Sequence, residues 1–502
     1  MKTCSLSPSH DEQWLLQTLQ EIGTSLGGHG VRVAGGWVRD HLRGIVTSDM
    51  DVLLLNMDAE AFAERLQQQG YGSRHIIEPK PAQARMARTV RVCLSLPSGE
   101  RFEVDLGTLA TGDGESLDEA LRQDAAGRDL TINALFYDPA TATVEDRTGQ
   151  GLDDLRRGLL RVPGARRCNL WDDPLRLLRI ARFHVTTGFA VEAQTRCLMD
   201  DRQLQQRLVR CTSPERIGQE LLAMWSHPRG SRAMELLHDC GVLDALLLAS
   251  QGEGELVEQL ASWDMDQGNG HHALNLWQHS IAAMACMGGQ QADADGQTLA
   301  LLQAAALLHD VGKRYRPLWG EKEGVGRTYH AHEHTSAHMV QSLCIWLCLG
   351  RRFCESLCAL VRAHMLPSGL KDAKDPALRR FLRRMAEEGV QWRSVFALSH
   401  CDILAKGQAD EQLAPVLSQL ASLEQRLEGL EAQAASLGTP IGRPVLNGRQ
   451  IMEVFGNSTA GPWVGEVLQA LLEMQDTEPA MDSAEAARRL RALFPAYGAP
   501  ER

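Results

Sequence analysis

The spacing of apolar residues changes along this chain, and each change predicts a different element. Val31 to Ala34 alternate as a short strand, Gly35 and Gly36 end it, and Trp37 to Arg43 read as one or two helical turns. Met50 to Leu55 form a second apolar strand, opened by Asp49 and Asp51. "TVRVCLSLPSGERFEVDLGTL" reads as two further strands around the turn Pro97-Ser98-Gly99, the second carrying Glu103 and Asp105 at period two. From "WDDPLRLLRIARF" (171–183) onward the period is helical: Leu175 and Leu178 recur among arginines, and residues 226 to about 415 are helix-rich. "EQLAPVLSQLASLEQRLEGLEAQAASL" is a polar, strongly helical connector with heptad-like leucines, followed by a tail containing Gly448, Gly456, Gly461 and Gly465. These glycines fit either close approach to a phosphate backbone or a tight helix-turn-helix. The fold class predicted is α+β, strands first and helices after, without internal repeats.

Composition bounds this picture. A chain of 502 residues, 44% apolar and 23% charged, is globular and exceeds one ordinary core, so two to four domains are expected. No apolar run approaches the roughly 18 residues of a membrane span, and "MKTCSLSPSHDEQW" has no apolar signal core. The expectation is a soluble, cytoplasmic protein without membrane contacts. The 12 cysteines lack C-x2-C pairs, which fits reduced thiols. Cys344, Cys348, Cys354 and Cys358 stand at helical spacings and read as small apolar residues of a buried helix pair rather than zinc ligands. The net charge of −12 argues mildly against a protein that coats nucleic acid. Arginines nevertheless cluster at 156, 157, 161, 166, 167, 176, 179 and 182, and again at 379, 380, 383 and 384. For the second cluster an anionic partner and an exposed helix face balanced by acidic neighbours are both open.

Gly35 and Gly36 would let backbone N–H groups approach an anion, while Asp49 and Asp51, at i and i+2, share one face of a strand and can hold hard divalent cations. Two metals there would bind a triphosphate and lower the pKa of an attacking 3′-hydroxyl, with Asp105 or Glu103 completing the ligand set or serving as base. Glu103 and Asp105 equally fit the solvent-facing side of an ordinary strand.

"GRDLTINALFYDPATATVEDRTGQGLDDLRRGLLRV" (127–162) and "SPERIGQELLAM" (213–224) complete a series. The order G-G-x-V-R-D, D-x-D, R-D-x-T-I-N-A-L, E-D-x-x-G, D-D-P-x-R-x-x-R resembles the class II tRNA nucleotidyltransferases, the CCA-adding enzymes, and their bacterial poly(A) polymerase relatives, over residues 31 to about 225. The resemblance implies a small polymerase-β-like sheet domain followed by an all-helical neck. It implies template-independent addition of C and A to tRNA 3′ ends from CTP and ATP, with Mg2+ on Asp49 and Asp51. Gly35 and Gly36 would cradle the triphosphate, Asp129 and Asn133 would contact the ribose, and Arg128 would lie near phosphate. Arg39 and Arg182 would join the nucleotide site, and Arg179 would touch phosphate or form a surface salt bridge. Asp173 and Arg176, at i and i+3 on one helix face, would act as the template for C and A. A carboxylate accepts from an exocyclic amine and a guanidinium donates to a ring nitrogen and carbonyl, so the pair suits both bases. Three departures qualify this: Gly127 replaces the first arginine of Arg-Arg-Asp, the basic residue after the third-carboxylate strand is missing from "LGTLATGDG", and the segment 110–126 is short. They leave open an enzyme that adds only the two cytidines.

The second half carries His279, His309-Asp310, His332, His364 and Asp402 at the interruptions of its apolar helices. The order H…HD…D resembles HD-domain phosphohydrolases. His309-Asp310 ends a fully apolar run, where ionisable side chains need a metal or a partner. By resemblance His279, His309, Asp310 and Asp402 would bind a divalent transition metal or Mg2+, and His332 and His364 could recruit a second ion or bind phosphate. The resemblance implies hydrolysis of 2′,3′-cyclic phosphates and related ends, with a purely structural HD domain as the alternative. The organisation expected is a nucleotidyltransferase head (1–165), a helical neck with the nucleotide-reading helix (166–230), an HD domain (231–415) and a helical, tRNA-binding tail (416–502). A poly(A) polymerase, or an HD phosphohydrolase with an RNA-binding head, are the competing functions.

Overall fold

In the computed structural model, which describes residues 2–77, 89–112, 114–252, 254–270, 272–438 and 441–497, the alternating segments become strands. They are β1 (Lys2–Ser5), β2 (Val31–Ala34), β3 (Asp49–Leu55), β4 (Gly72–Ile77), β5 (Thr89–Ser95), β6 (Arg101–Leu109), β7 (Leu135–Asp138) and β8 (Thr143–Asp146). They form one eight-stranded sheet in the order β1-β8-β7-β2-β3-β6-β5-β4, with β3 and β6 parallel and the other neighbours antiparallel. This α+β architecture agrees with the sequence expectation. The sheet belongs to a unit made of Met1–Ser213 and Asp239–Val242.

Strand alternation decides which residues leave the core. Met50, Val52 and Leu54 of β3 and Phe102, Val104 and Leu106 of β6 are buried with α1 (His10–Ser25), α2 (Gly36–Leu42) and α3 (Ala59–Gln68). Leu53 and Leu55 point to the other face, into a smaller cluster with Ala34, Phe136 and the Leu121 and Ala125 side chains of α4 (Leu117–Gly127). Asp49 and Asp51 have the parity of Leu53 and Leu55, so they emerge on this second face at the start of β3. The unit continues through α5 (Gly151–Arg157), α6 (Arg167–Asp172), α7 (Arg176–Thr187), α8 (Ala193–Met199) and α9 (Arg202–Cys211).

The other unit, Pro214–His238 with Leu243–Arg502, is helical. It opens with α10 to α13 (Pro214–Trp225, Gly230–Asp239, Val242–Ser250 and Glu255–Glu258). A middle group follows: α14 (Leu276–Gln290), α15 (Gly296–Leu308), α16 (His332–Trp346), α17 (Arg351–Ala363), α18 (Leu366–Gly369), α19 (Asp375–Glu387) and α20 (Trp392–Leu404). The run Ala304–Leu308 of α15 is buried on every side, which explains its lack of an amphipathic period. In the long helix α21 (Asp410–Ser436), Leu413, Leu420, Leu423, Leu427, Leu430 and Ala434 are buried, as the heptad-like leucines predict. The tail forms α22 (Gly448–Phe455), α23 (Pro462–Thr477) and α24 (Ser483–Leu493) around Ile451, Phe455, Val467, Leu471 and Leu490. Gly456 ends α22 with φ 66°, a left-handed cap that turns the chain toward α23, so the helix-turn-helix alternative accounts for the tail. Among the described residues no helix is long and apolar enough to cross a membrane.

Two expectations need correction. Arg379 and Arg383 are neither on an exposed face nor open to an anion: they are buried, Arg379 donates to Gln433 Oε1 at 2.8 Å and Asp476 O at 3.1 Å, and Arg383 donates to Asp476 Oδ2 at 3.0 Å. They fasten α19 to α21 and α23, because their long stems bury while their heads find fixed partners. Of the four cysteines assigned to a buried helix pair, Cys344 and Cys358 are buried, but Cys348 is exposed in the turn after α16.

Candidate active sites

The parallel register of β3 and β6 places Asp51 opposite Asp105 and Asp49 opposite Glu103, so all four acidic residues share one face. Solvent still reaches Asp51. The protein around it and the neighbouring Asp49 nevertheless push its pKa up to about 6, with Asp105 adding to the rise and Arg128 and Arg179 opposing it. Crowded carboxylates of this kind call for a cation. Arg91 of β5 supplies one, gripping Asp105 with Nε–Oδ1 at 2.7 Å and Nη2–Oδ2 at 2.8 Å while standing 3.5 Å from Glu103 Oε2. With Asp105 so held, the ligand atoms of Asp49, Asp51 and Asp105 do not all converge within 4.8 Å of one another. The carboxylate oxygens of Asp49 and Asp51, which Arg91 does not grip, are hard donors of the kind that suits a hard divalent ion. Glu103 is more open than Asp105, its side chain 61% exposed against 19%.

Gly35 lies against this face. Its backbone, at φ 73° and ψ −130°, starts α2, and a Cβ there would sit 3.2 Å from Asp51 Oδ2 and 3.4 Å from Arg128 Nη1. Only glycine brings the backbone this near the carboxylate without strain. Behind it runs a chain of polar contacts: Arg39 Nη1 donates to Asn133 Oδ1 at 2.6 Å, Asn133 Nδ2 donates to Asp129 Oδ1 at 3.0 Å, and Arg179 donates to Asp129 Oδ2 from Nε at 2.9 Å and Nη2 at 2.7 Å. Burial alone would raise the Asp129 pKa; Arg179 and Asn133 outweigh it and hold the carboxyl below its usual range. Arg179 therefore fastens α7 to the "RDLTIN" turn. Arg128 reaches Asp124 at 2.8 Å and Asn133 O at 3.3 Å, and Arg182 lies over the Phe183 ring at 4.5 Å.

Asp173 and Arg176 do not lie together on one helix face. The helix begins at Arg176, and Asp173 has extended backbone, φ −134° and ψ 90°, because Pro174 disfavours helical geometry in the residue before it. The two remain joined through a turn in which Arg176 N donates to Asp173 O at 3.1 Å, and Arg176 Nη1 donates to Asn169 O at 3.1 Å.

In the helical unit, four histidines surround two carboxylates. His279, His309, His332 and His364 each place Nδ1 on a backbone carbonyl, of Ala405, Ala306, Tyr329 and Val361, at 3.0, 2.9, 3.1 and 2.7 Å. That contact fixes Nδ1 as the donor of each ring and turns each Nε2 toward the centre, where it can ligate a cation once it carries no proton. The Nε2 atoms of His279 and His309 face each other at 3.2 Å, close enough to share a proton or to ligate one cation; burial would lower the His309 pKa, but Asp310 and Asp402 outweigh it and push it up to about 10. Asp402 Oδ1 lies 3.0 Å from His279 Nε2, and Asp310 Oδ2 lies 3.3 Å from both His279 and His309. Asp310 Oδ1 turns instead toward Nε2 of His332, 2.9 Å away, and of His364, 3.6 Å away. Asp310 Oδ1 and His332 Nε2 are buried without a hydrogen-bond partner. The ligand atoms form two groups, His279-His309-Asp310-Asp402 and Asp310-His332-His364, with Asp310 common to both. Imidazole and carboxylate donors of this kind would suit divalent cations. Burial and the neighbouring His309 push His364 down to about 3, so its imidazole stays neutral. Burial alone would raise the Asp310 pKa, but His309 and Lys313 outweigh it and hold the carboxyl well below its ordinary range. Lys313 Nζ lies 2.7 Å from Asp310 Oδ2. A cavity of about 430 Å³ opens on this centre, lined also by His272, Lys371, Ser399 and Lys406. Gly312 lets the chain after Asp310 press against α16, where a Cβ would meet His332 O at 2.5 Å.

Residues 31–161 match the family described as Poly A polymerase head domain, and residues 276–395 match the HD domain. The A-adding tRNA nucleotidyltransferase of Deinococcus radiodurans is 30% identical over 454 residues, covering 88% of this chain and 91% of the relative. The chain belongs to the tRNA nucleotidyltransferase family. It also carries an HD domain. The CC-adding tRNA nucleotidyltransferase of Thermus thermophilus is likewise 30% identical, over 450 residues and 88% of each chain. Among solved structures, a CCA-adding enzyme in complex with CTP shares the fold with a TM-score of 0.62 at 18% identity, covering 98% of this chain and all of the other. The Thermotoga maritima CCA-adding enzyme complexed with tRNA shares it with a TM-score of 0.59 at 18% identity, again over 98% of this chain.

In this tRNA nucleotidyltransferase the structure brings Gly35, Asp49, Asp51, Asp105 and Arg128 to one face, and links Arg39, Asn133, Asp129 and Arg179 behind it. Sequence reasoning missed Arg91 and Asp124 in the head and the roles of His272, Lys313, Lys371 and Lys406 at the histidine centre. The parity of Arg91 along β5 and the spacing of Lys313, three residues after Asp310, were the available signals.

Proposed function

We propose that this protein extends tRNA 3′ ends with C and A from CTP and ATP, and that its HD domain hydrolyses phosphate ends, 2′,3′-cyclic phosphates above all. The observation that carries the first part is the register that sets Asp51 against Asp105 with the Gly35 backbone alongside. Asp49 and Asp51 would hold Mg2+, with Asp105 as third carboxylate; the ion supplies Lewis acidity at the triphosphate and lowers the pKa of the tRNA 3′-hydroxyl. Gly35 and Gly36 let the backbone reach the phosphates, the Arg39-Asn133-Asp129-Arg179 chain fixes the ribose side, and Asp173 with Arg176 reads the base edge. Residues 1–165 serve as head, 166–230 as neck, 231–415 as HD domain and 416–502 as a tRNA-binding tail. In the HD domain the four histidines with Asp310 and Asp402 would hold transition metals or Mg2+, and Lys313, Lys371 and Lys406 would draw a phosphate into the cavity.

A second reading, partial addition, is favoured by the short connection here: only residues 110–116 separate β6 from α4 and Gly127 ends that helix, and the relatives matched over most of their length include an A-adding and a CC-adding enzyme. Product length decides. A tRNA transcript lacking CCA, incubated with each NTP and Mg2+, should gain three nucleotides. Two cytidines with ATP present would mark a CC-adding enzyme, extension only of a transcript already ending in CC an A-adding one, and a long A tract a poly(A) polymerase. Hydrolysis of 2′,3′-cyclic AMP under Mg, Mn, Ni or Co tests the HD domain. Its absence under all four would reduce the HD fold to a structural part.

A further inference from the structure

We infer that Cys286, His400 and Cys401 form a separate site for a thiophilic cation of the zinc type, fastening α14 to α20. Their donor atoms all lie within 4.8 Å of one another, two thiols and an imidazole on facing helices. Such a set selects Zn2+ over Mg2+, and three ligands with one open position are a recurrent zinc arrangement. The space on which they converge is held by one carboxamide, that of Gln290. Its Nε2 lies 3.3 Å from Cys286 Sγ and 2.9 Å from His400 Nδ1, and its Oε1 accepts from Cys401 Sγ at 3.7 Å. Gln290 is exposed at the last position of α14, so its side chain can swing out as an ion enters, or stay as the fourth ligand through oxygen. Each thiol gives its proton to solvent as the sulfur–metal bond forms.

The site is distinct from the histidine centre. Cys286 stands seven residues beyond His279 on α14, about 10 Å along the helix at 1.5 Å per residue. The same two helices supply His279 and Asp402, so an ion here would pin the elements that carry two ligands of the HD centre.

The test uses the full-length, reduced, metal-free protein titrated with Co2+, read by the thiolate-to-cobalt charge-transfer absorption that an oxygen and nitrogen centre cannot produce. The wild type and Asp310→Ala should both develop the band, and added Zn2+ should abolish it. Cys286→Ser and Cys401→Ser should lose it while Cys354→Ser keeps it, with circular dichroism confirming that each variant is folded. Because the buried Cys401 could be needed for folding, His400→Ala provides a second reading: it should weaken cobalt binding by about tenfold or more. Absence of the band in the wild type, its survival in both cysteine variants, or unchanged affinity in His400→Ala would overturn the assignment.

Discussion

Replacing Gly35 by alanine separates backbone strain from placement of the Asp51 carboxylate, the proposed metal ligand. The residue's φ of 73° with ψ −130° is a conformation that L side chains rarely adopt, and holding alanine there costs about 1 to 3 kcal/mol. The new Cβ would also stand 3.2 Å from Asp51 Oδ2 and 3.4 Å from Arg128 Nη1, so both must give by a few tenths of an ångström. Misplacement by a full ångström costs on the order of a hundredfold in rate, so a shift of this size should cost roughly tenfold. Gly44 provides the control: its φ is 72°, and a Cβ there meets nothing within 4 Å. Both variants should lose stability in urea titrations, and Gly35→Ala alone should lose rate in single-turnover CTP addition at saturating Mg2+, under conditions where both are folded. Equal rates in the two variants would refute the claim that Gly35 is needed for the carboxylate's position.

Further outcomes follow from the same geometry. Asp51→Ala should abolish addition of every nucleotide and leave cyclic-phosphate hydrolysis intact, whereas His309→Ala should do the reverse; loss of both activities in either folded variant would contradict two independent centres. Asp173→Ala should keep turnover but lose discrimination of CTP and ATP over UTP and GTP by about 1 to 3 kcal/mol, read as relative kcat/KM. Unchanged selectivity would remove Asp173 from base reading. Glu12 receives Trp37 Nε1 at 2.9 Å and lies 2.9 Å from His41 Nε2; burial would raise its pKa, but hydrogen bonds from Ser9, His41 and Trp37 outweigh burial and bring it below the ordinary 4.5. A carboxyl depressed on folding contributes stability above its unfolded pKa and loses it as pH falls through the folded value. Glu12→Gln should therefore flatten the acid-side slope of stability below about pH 4.5, and an unchanged slope would show that the pairing contributes nothing.

By itself the sequence determined the local faces. Period-two alternation placed Asp49 and Asp51 on one side of β3 and Glu103 and Asp105 on one side of β6, and the apolar run ending at His309-Asp310 marked that pair, while His279, His332, His364 and Asp402 joined it through the resemblance to HD domains. The strand faces follow from geometry within one element, where spacing alone fixes direction. Tertiary structure decided what crosses between elements. The parallel register that sets Asp51 beside Asp105, the grip of Arg91 on Asp105, and the turn of Arg179 toward buried Asp129 depend on strand order and packing that no local period encodes. Asp173 was misplaced although its cause, Pro174, lies in the sequence, because helical spacing of the following leucines masked the proline's effect on the residue before it. Likewise Asp310 was legible as a candidate ligand, but its division between two groups of histidines arises only when α14, α16, α17 and α20 meet. A burial pattern states that a residue is covered; the partner that covers it is fixed by contacts distant along the chain.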